Sequence, residues 1–451
     1  MPKSTLLIIL LLSLALSSCS QVDGLLPEIS KISAGFSSLE TSTPLPKQPT
    51  ATLTFSPTST SASASPTPSP TLSPTPKATR TPRPSATQTA TLPVIIKVGP
   101  NDFPDYVNPL TGLVPINPLS LERRPIAVKI PNYPHSIYPQ AGISKADQIF
   151  EYHLEQGLTR FFAIFYGNDA LKVGPIRSGR NFDAHVVQMY NSAYVFNYAY
   201  REEGNEGLDV LGYLESVLDE RLFVNDPGGC TSWMCRDESL NTYNNLFGNT
   251  YNISELITQR GVENVRQDLA TNLFTTLGGR GKESVSVINV NYSGYNYAYW
   301  QYNNGDQRYY RYQGNVDLID DAKPEYILLT DANDGAPIVA DNVIILYVPH
   351  KFLHKKGRSE VFDIQLIDQG EAWIFRNGSA FEAIWERREV NKPLYLRTPE
   401  GAPFPLKPGV TFFQVLHTRS EFYIQGEGEW TFKFVRPFAP AESIPTESSD
   451  Q

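Results

Sequence analysis

Apolar and polar positions from residue 94 onward predict strands and helices that alternate along the chain. RPIAVKI (124–130) and SAYVFNYAY predict strands, and TRFFAIFYG is apolar nearly throughout, as in a central strand. ADQIFEYHLEQG alternates with a period of two, which predicts a half-buried strand. Helical spacing occurs in FDAHVVQMYNSA, LDVLGYLESVLDE, ISELITQRG and VRQDLATNLFTTLG. Residues 94–279 are therefore predicted to form an α/β domain with a mixed sheet and helices.

Beyond residue 280 the pattern changes to short alternating runs that are rich in tyrosine. The stretch GEAWIFRNGSAFEAIW places Asn-Gly between two alternating runs, which is the strongest short signal for a β-hairpin. DNVIILYV and EWTFKFV predict further strands. Residues 280–437 are therefore predicted to form a mostly antiparallel β domain, and residues 438–451 a polar tail.

The first nineteen residues have the pattern of an export signal. Lys3 precedes the apolar run LLIILLLSLAL, and LSSC ends at Cys19. The run is too short for a comfortable membrane span. The LSSC ending resembles a bacterial lipobox, in which the cysteine is lipidated and becomes the mature N-terminus; an ordinary signal peptide is the alternative. We therefore expect an extracytoplasmic protein held on the cell membrane by an N-terminal lipid.

Residues 20–93 are predicted to be a disordered stalk. From Thr41 to Leu92 the chain is almost entirely Ser, Thr, Pro and Ala, so it cannot bury enough apolar surface to offset the entropy of ordering. Proline keeps such a segment extended. A proline-rich ligand for a partner domain is the alternative interpretation.

Charge and cysteine content narrow the candidate functions. The formal net charge is −9, and we expect no nucleic-acid partner. Besides Cys19 the chain has Cys230 and Cys235, close together in GGCTSWMCRD. In an exported protein this pair favours a disulfide. A zinc site, the alternative, needs two further ligands, and no nearby histidine supplies them.

Four arginines flank the predicted strands of the α/β domain. Arg177 and Arg180 lie in KVGPIRSGRNFD, just before a predicted helix; Arg160 begins the preceding strand and Arg201 ends the following one. Ends of neighbouring strands converge, and free N–H groups at a helix start favour an anion. The arginine fork binds phosphate or carboxylate through two parallel hydrogen bonds. The pattern predicts a cleft for an anionic ligand.

Two carboxylates could complete or neutralise this cleft. Asp147 and Glu151 lie on the strand before Arg160, where they could hold a divalent metal such as Mg²⁺ or pair with the arginines. In the alternative interpretation the arginines are structural, and Arg177 pairs with Asp183 or Glu151. No cofactor is otherwise indicated.

Several motifs together resemble the YerB-like bacterial lipoproteins, a two-part domain of unknown function. They are NPLTGL, RPIAV, ADQIFEYHLEQGLTRFFAIF, GPIRSGR, DNVIILYV, GEAWIFRNG and LKPGVTFFQVL. The resemblance implies a two-domain envelope lipoprotein and adds Arg236 to the candidate ligand-binding residues. In CRDESLNTYNNLF the chain keeps Arg236, Asp237 and Asn245 of the family's pattern, but Asn244 stands where the family has histidine.

The order of elements is also similar, more distantly, to the LytR-CpsA-Psr proteins. These transfer wall polymers from a polyprenyl pyrophosphate, and an arginine grips the pyrophosphate. KADQIF, RFFAIF, GPIRSGR and VFNYAY fall in the same order here, although the family's Pro-Arg-Asp turn is not reproduced.

Two functions stay open. In the first, the protein binds an anionic wall polymer, a polyprenyl phosphate or a wall-synthesis protein through the arginine-lined cleft. In the second, it is a metal-dependent phosphotransferase acting on polyprenyl-pyrophosphate-linked wall polymers. The lack of a clear acid/base constellation in the sequence, and Asn244 in place of histidine, favour binding.

The lipobox gives a direct test of anchoring. Cys19→Ala removes the thiol that carries the lipid, so we expect the variant to leave the membrane fraction or to stay unprocessed. Fractionation of cells followed by immunoblotting measures both. A Cys19→Ala protein found in membranes at the mature size would show that lipid attachment is wrong.

Overall fold

The structure is a computed structural model that describes residues 96–437, apart from residues 206, 241, 242, 280, 320, 357 and 358. The predicted lipobox at Cys19, the stalk (20–93) and the polar tail (438–451) lie outside the described residues. Within the described residues, every helix is too short or too polar to cross a membrane.

The described residues form short helices and many strands. The helices are α1 (Asn181–Tyr190), α2 (Val210–Val217) and α3 (Thr250–Gln259). The strands, in chain order, are β1 (Lys97–Val98), β2 (Ile126–Pro131), β3 (Gln148–His153), β4 (Thr159–Phe165), β5 (Ala193–Val195), β6 (Phe223–Val224), β7 (Met234–Arg236), β8 (Leu246–Gly248), β9 (Leu273–Thr275), β10 (Glu283–Ser284), β11 (Val287–Asn291), β12 (Tyr297–Asn303), β13 (Arg308–Gly314), β14 (Tyr326–Leu328), β15 (Val339–Ala340), β16 (Asn342–Val348), β17 (His350–Lys356), β18 (Ser359–Ile364), β19 (Asp368–Arg376), β20 (Ser379–Arg387), β21 (Tyr395–Arg397), β22 (Pro405–Leu406), β23 (Thr411–His417), β24 (Glu421–Gly426) and β25 (Glu429–Lys433).

The main sheet has eleven strands and is mixed. Its order is β10-β20-β19-β16-β23-β3-β4-β2-β5-β6, with β21 beside β20. The late strand β23 pairs in parallel with both β3 and β16, so strands from before and after residue 280 share this sheet. The pairs β2/β5 and β5/β6 are also parallel, and the remaining pairs are antiparallel. A mixed sheet with helices, followed by mostly antiparallel strands, confirms the predicted fold class.

A second sheet of seven strands lies against one face of the main sheet. Its order is β14-β13-β12-β11-β25-β24, with β15 beside β13, and only β11 and β25 run parallel. One core cluster joins side chains of both sheets with α3. The other cluster packs α1 and α2 on the opposite face of the main sheet. Coverage on both faces explains why its central strands are apolar nearly throughout.

Two sequence predictions need correction. The strand β3 is buried on both faces rather than half-buried: Glu151 is 2% exposed and His153 1% exposed, because the second sheet covers their side. The segment VRQDLATNLFTTLG is not a helix; it ends in β9, which pairs with β1 and β22. The Asn272 side chain also bonds to the backbone of Leu394 and Leu396. Strand pairing therefore overrides the helical spacing of this segment.

The two sheets are joined by a buried ion pair between Arg311 on β13 and Glu151 on β3. The Arg311 side chain is fully buried, and its Nη2 donates to Glu151 Oε2 at 2.8 Å. The other carboxylate oxygen of Glu151 accepts from side chains of Asn132 and Thr159. Three aromatic rings surround the guanidinium at 5.0–5.3 Å, those of Phe161, Trp300 and Phe412. Hydrogen bonds and ring faces thus compensate two charges removed from water.

Removing one partner of this pair should be costly. Arg311→Met leaves the Glu151 carboxylate buried beside apolar rings, so we expect the free energy of unfolding to fall by about 3–5 kcal/mol. Urea unfolding followed by circular dichroism measures the loss. The double variant Arg311→Met/Glu151→Met is the matched control and should be more stable than Arg311→Met alone. Equal stability of the single variant and the wild type would contradict this role.

Three buried histidines cluster at one end of the central strands. His153 stacks on Phe434 with ring centroids 4.6 Å apart, and His350 lies 5.6 Å from the same ring. His350 also contacts His417 edge to face at 5.4 Å. Burial lowers the pKa of all three imidazoles, and it lowers the pKa of His350 to about 3.

This cluster should make the fold sensitive to acid. The unfolded chain takes up a proton on His350 as the pH falls through about 6.5, while the folded chain keeps that imidazole neutral down to about pH 3. Stability is therefore lost as the pH falls. His350→Asn keeps a donor for the carbonyl of Val348 but removes the titration. We expect the slope of unfolding free energy between pH 6 and pH 4 to decrease by about 1.4 kcal/mol per pH unit.

The measurement is urea unfolding at several pH values. Phe352→Leu removes packing from the neighbouring hairpin without removing a titrating group, so it should lower stability by the same amount at every pH. An unchanged slope for His350→Asn would show that His350 does not contribute.

Candidate functional site

The structure brings Arg160, Arg177 and Arg180 together at the start of α1. Arg160 lies on β4, directly opposite Pro131 of β2, and its Nη1 donates to the backbone carbonyl of Ser178, between the other two arginines. The Arg160 side chain is only 9% exposed. Burial lowers the pKa of Arg160 well below its ordinary value, and the nearby charges of Arg180 and Arg177 lower it further. The predicted convergence of these three arginines is thus present in the fold.

Backbone hydrogen bonds hold the segment 177–180 in place. Arg177 donates its N–H to the carbonyl of Lys129 and accepts from the N–H of Asn197, both at 3.0 Å. Gly179 donates to the carbonyl of Tyr198 at 2.8 Å. A Cβ at Gly179 would overlap the hydroxyl of Tyr194, so glycine permits this close approach to the sheet. The segment is therefore fixed between β2 and the strand end that follows β5.

A buried polar network lies beneath the arginines. Lys129 Nζ pairs with Asp183 Oδ1 at 2.7 Å, and both side chains are fully buried. The hydroxyls of Tyr152 and Tyr194 donate to the same carboxylate at 2.5 and 2.6 Å. Asp183 Oδ2 also accepts from the N–H of Arg180, which fixes the first turn of α1. Burial lowers the pKa of Lys129 to about 7, against the opposing effect of Asp183.

Basic groups outnumber carboxylates at this site. Arg180 Nη2 lies 3.2 Å from Glu155 Oε1, and Asp183 serves Lys129 and two tyrosines. The guanidinium of Arg177 makes no hydrogen bond or ion pair with any described residue, and its Nε is buried. Burial and the charge of Arg180 both lower the pKa of Arg177. The expected alternative pairing of Arg177 with Asp183 or Glu151 is therefore not seen.

The other two predicted arginines are occupied by carboxylates. Arg201 pairs with Glu215, and both side chains are partly exposed. Arg236 pairs with Asp226 and donates to Asn245 Oδ1 at 2.7 Å. Both guanidinium groups are therefore balanced by a carboxylate, unlike that of Arg177.

The two predicted metal ligands do not form one site. Asp147 accepts hydrogen bonds from Asn108 and from the backbone of Tyr166 and Gly167, whereas Glu151 is bound to Arg311. The two residues stand four positions apart in extended chain, so roughly 13 Å separates their Cα atoms. Across the described part of the chain, no group of three or more His, Cys, Asp or Glu side chains has the spacing to hold a metal. The geometry therefore gives Mg²⁺ no support at these residues.

Cys230 and Cys235 are joined in a disulfide that closes the loop before β7. Beside it, a groove of about 550 Å³ is lined by residues that include Trp233, Arg236 and Asp237. This groove does not contain the arginine cluster. We place the candidate site at the arginines because their charges are not all balanced by carboxylates and the pKa values of Arg160 and Arg177 are lowered there.

Sequence signals for the rest of the site are weaker. Lys129 is a single cation inside the apolar strand IAVKIP, and such a residue needs a buried partner. Asp183 is predicted from the sequence only as a partner of Arg177. The tyrosines Tyr152 and Tyr194 carry no signal in the sequence, because buried tyrosines are common in cores.

Comparisons with known proteins follow the same division of the chain. Residues 110–263 match the family model described as "Protein of unknown function (DUF3048) N-terminal domain", and residues 288–413 match the C-terminal domain of the same family. A relative in Bacillus subtilis (strain 168), named "Putative lipoprotein YerB", is 27% identical over 308 residues, which are 68% of this chain and 85% of the relative.

A solved structure has a similar fold. The crystal structure of YerB from Bacillus subtilis matches with a TM-score of 0.54 and 24% identity, and the match covers 69% of this chain and 96% of that one. Because both family parts are matched in order and together span more than half of the chain, this protein belongs to the DUF3048 family of proteins of unknown function.

Proposed function

We propose that this protein is a membrane-anchored, extracytoplasmic lipoprotein that binds a phosphate-bearing component of the cell envelope at Arg160, Arg177 and Arg180. The LSSC ending at Cys19 and the lipoprotein name of the Bacillus subtilis relative support the anchoring. The arginine cluster supports a phosphate-bearing ligand. Wall polymers and polyprenyl phosphates share the phosphate group that such a cluster recognises.

The observation that carries the proposal is the guanidinium of Arg177. It lies beside two further arginines and has no partner among the described residues, although its Nε is buried. Like charges in a partly buried site repel each other, and a buried donor without an acceptor costs free energy. An anion between the guanidinium groups relieves both penalties.

Phosphate fits this arrangement better than a carboxylate. A phosphate group offers several acceptor oxygens, so it can accept two bonds from one arginine and a further bond from a second. The N-terminus of α1, a helix of ten residues, adds a partial positive charge at the same place. The buried pair of Lys129 and Asp183 holds the helix start and the strand together, so the arginines are positioned before a ligand binds.

Arg177→Ala tests the proposal. The probe is farnesyl pyrophosphate, titrated by isothermal calorimetry into the full-length protein in detergent, with and without Mg²⁺. Each lost charged hydrogen bond is worth about 1.5–3 kcal/mol, so we expect binding to weaken about 10- to 100-fold. The melting temperature without ligand should stay unchanged or rise, because repulsion with Arg180 is removed.

Two variants complete the experiment. Arg201→Ala removes an arginine already paired with Glu215, so it should leave binding unchanged. Arg177→Lys keeps the charge but loses the fork, and should bind with intermediate affinity. A large fall in melting temperature for Arg177→Ala, with no binding of the probe by the wild type, would show instead that the arginines serve the fold. Binding that requires Mg²⁺ would favour the phosphotransferase hypothesis.

A further inference from the structure

The outer face of the seven-stranded sheet carries an ordered row of polar and aromatic side chains. The register aligns one residue from each of five adjacent strands, namely Tyr312, Tyr299, Asn289, Thr431 and Tyr423. Neighbouring strands are about 4.8 Å apart, so the row crosses the sheet as a continuous band. The apolar residues that alternate with these positions point into the core between the sheets.

The centre of this band is a groove. Its volume is about 450 Å³, and its lining includes Asn289, Tyr299, Tyr326, Gln425 and Glu429. The ring of Tyr299 stacks on that of Tyr312 at 4.7 Å with planes 5° apart, and Tyr326 meets Tyr299 edge to face at 4.8 Å. These contacts hold the aromatic wall rigid, so little rotamer entropy is lost when a ligand binds.

The polar side of the groove is made of amides, a hydroxyl and one carboxylate. Asn289 Nδ2 donates to Glu429 Oε1 at 2.9 Å and lies 3.3 Å from Thr431 Oγ1. No lysine or arginine occurs among the described residues that line the groove. The cation next in register, Lys433, pairs with Glu421 at 3.7 Å. The groove is thus rich in hydrogen-bonding groups but has no cation to attract an anion.

We infer that this groove binds a neutral, hydroxyl-rich ligand, and specifically an oligosaccharide. Amide and hydroxyl groups can both donate to and accept from sugar hydroxyls, and tyrosine rings offer flat apolar surfaces for the C–H faces of a sugar. A phosphate-bearing ligand is disfavoured by Glu429. An extended peptide is disfavoured because the groove lies on the face of the sheet, where the backbone groups are already paired.

This inference does not depend on the proposed function. The arginine cluster lies at the end of strands in the main sheet, whereas the groove lies on the second sheet. The two sites also differ in charge. A glycan held here and a phosphate group held at the arginines would be separate ligands or separate parts of one polymer.

The experiment is isothermal calorimetry of the full-length protein in detergent, with chitohexaose and cellohexaose as probes. We expect at least one of these neutral hexasaccharides to bind the wild type. Asn289→Ala and Gln425→Ala should each weaken that binding about tenfold, through lost hydrogen bonds and reorganised lining. Gln425 lies on β24, which is exposed at every position, so its substitution should not affect folding. Tyr299→Ala removes the aromatic wall and should abolish binding.

The control is Tyr243→Ala, which removes a tyrosine that is 85% exposed and does not line the groove. It should bind like the wild type, and so should Arg177→Ala. Failure of both hexasaccharides to bind would overturn the inference. So would wild-type affinity in both Asn289→Ala and Gln425→Ala, which decides the question even if Tyr299→Ala fails to fold. Loss of farnesyl pyrophosphate binding tests the arginine site separately.

Discussion

The fold depends on placing one guanidinium and one carboxylate between two sheets without leaving either charge unpaired. Arg311 and Glu151 lie 160 positions apart in the chain and meet in the layer where the seven-stranded sheet covers the main sheet. A buried ion pair contributes little net stability compared with apolar residues of similar size, but a mismatched one is strongly unfavourable. The pair therefore favours the one relative position of the two sheets in which Arg311 and Glu151 meet, and it disfavours shifted positions. Glu151 in turn holds Asn132 and Thr159, so the same interaction orients β3, β4 and the loop after β2.

The arginine cluster is built partly on the same strands, but its charges are not balanced. At the sheet interface each charge has its partner, whereas at the start of α1 the basic groups exceed the carboxylates. The buried network of Lys129, Asp183 and two tyrosines holds the start of α1 against the sheet. The guanidinium of Arg177 has no hydrogen-bond partner among the described residues. A site of this kind gives up some stability of the free protein, which is the cost expected of the proposed anion site.

Local patterns predicted much of the fold from the sequence. The Asn-Gly turn of the β19/β20 hairpin, the three helices α1 to α3 and the central strand β4 were all predicted, because turn chemistry and periodicity act within a few residues. The pattern was misleading where distant strands decide the outcome, as in β9. At the site, Arg160, Arg177 and Arg180 were predicted to converge and do. Arg201 and Arg236 are instead paired with Glu215 and Asp226, and no local pattern reveals such pairings.

The position of β23 also sets the order in which the fold can be completed. This strand, residues 411–417, lies between β3 and β16 and closes the middle of the main sheet, although it is made almost last. Before β23 is synthesised, the apolar strands β3 and β16 each have an unpaired edge, and such edges favour association with other chains. A chain that ends before residue 411 therefore lacks the strand that joins the two halves of the main sheet. The matched N-terminal and C-terminal parts thus contribute strands to one continuous sheet, so exchanging either part alone would disrupt the pairing of β23 with β3.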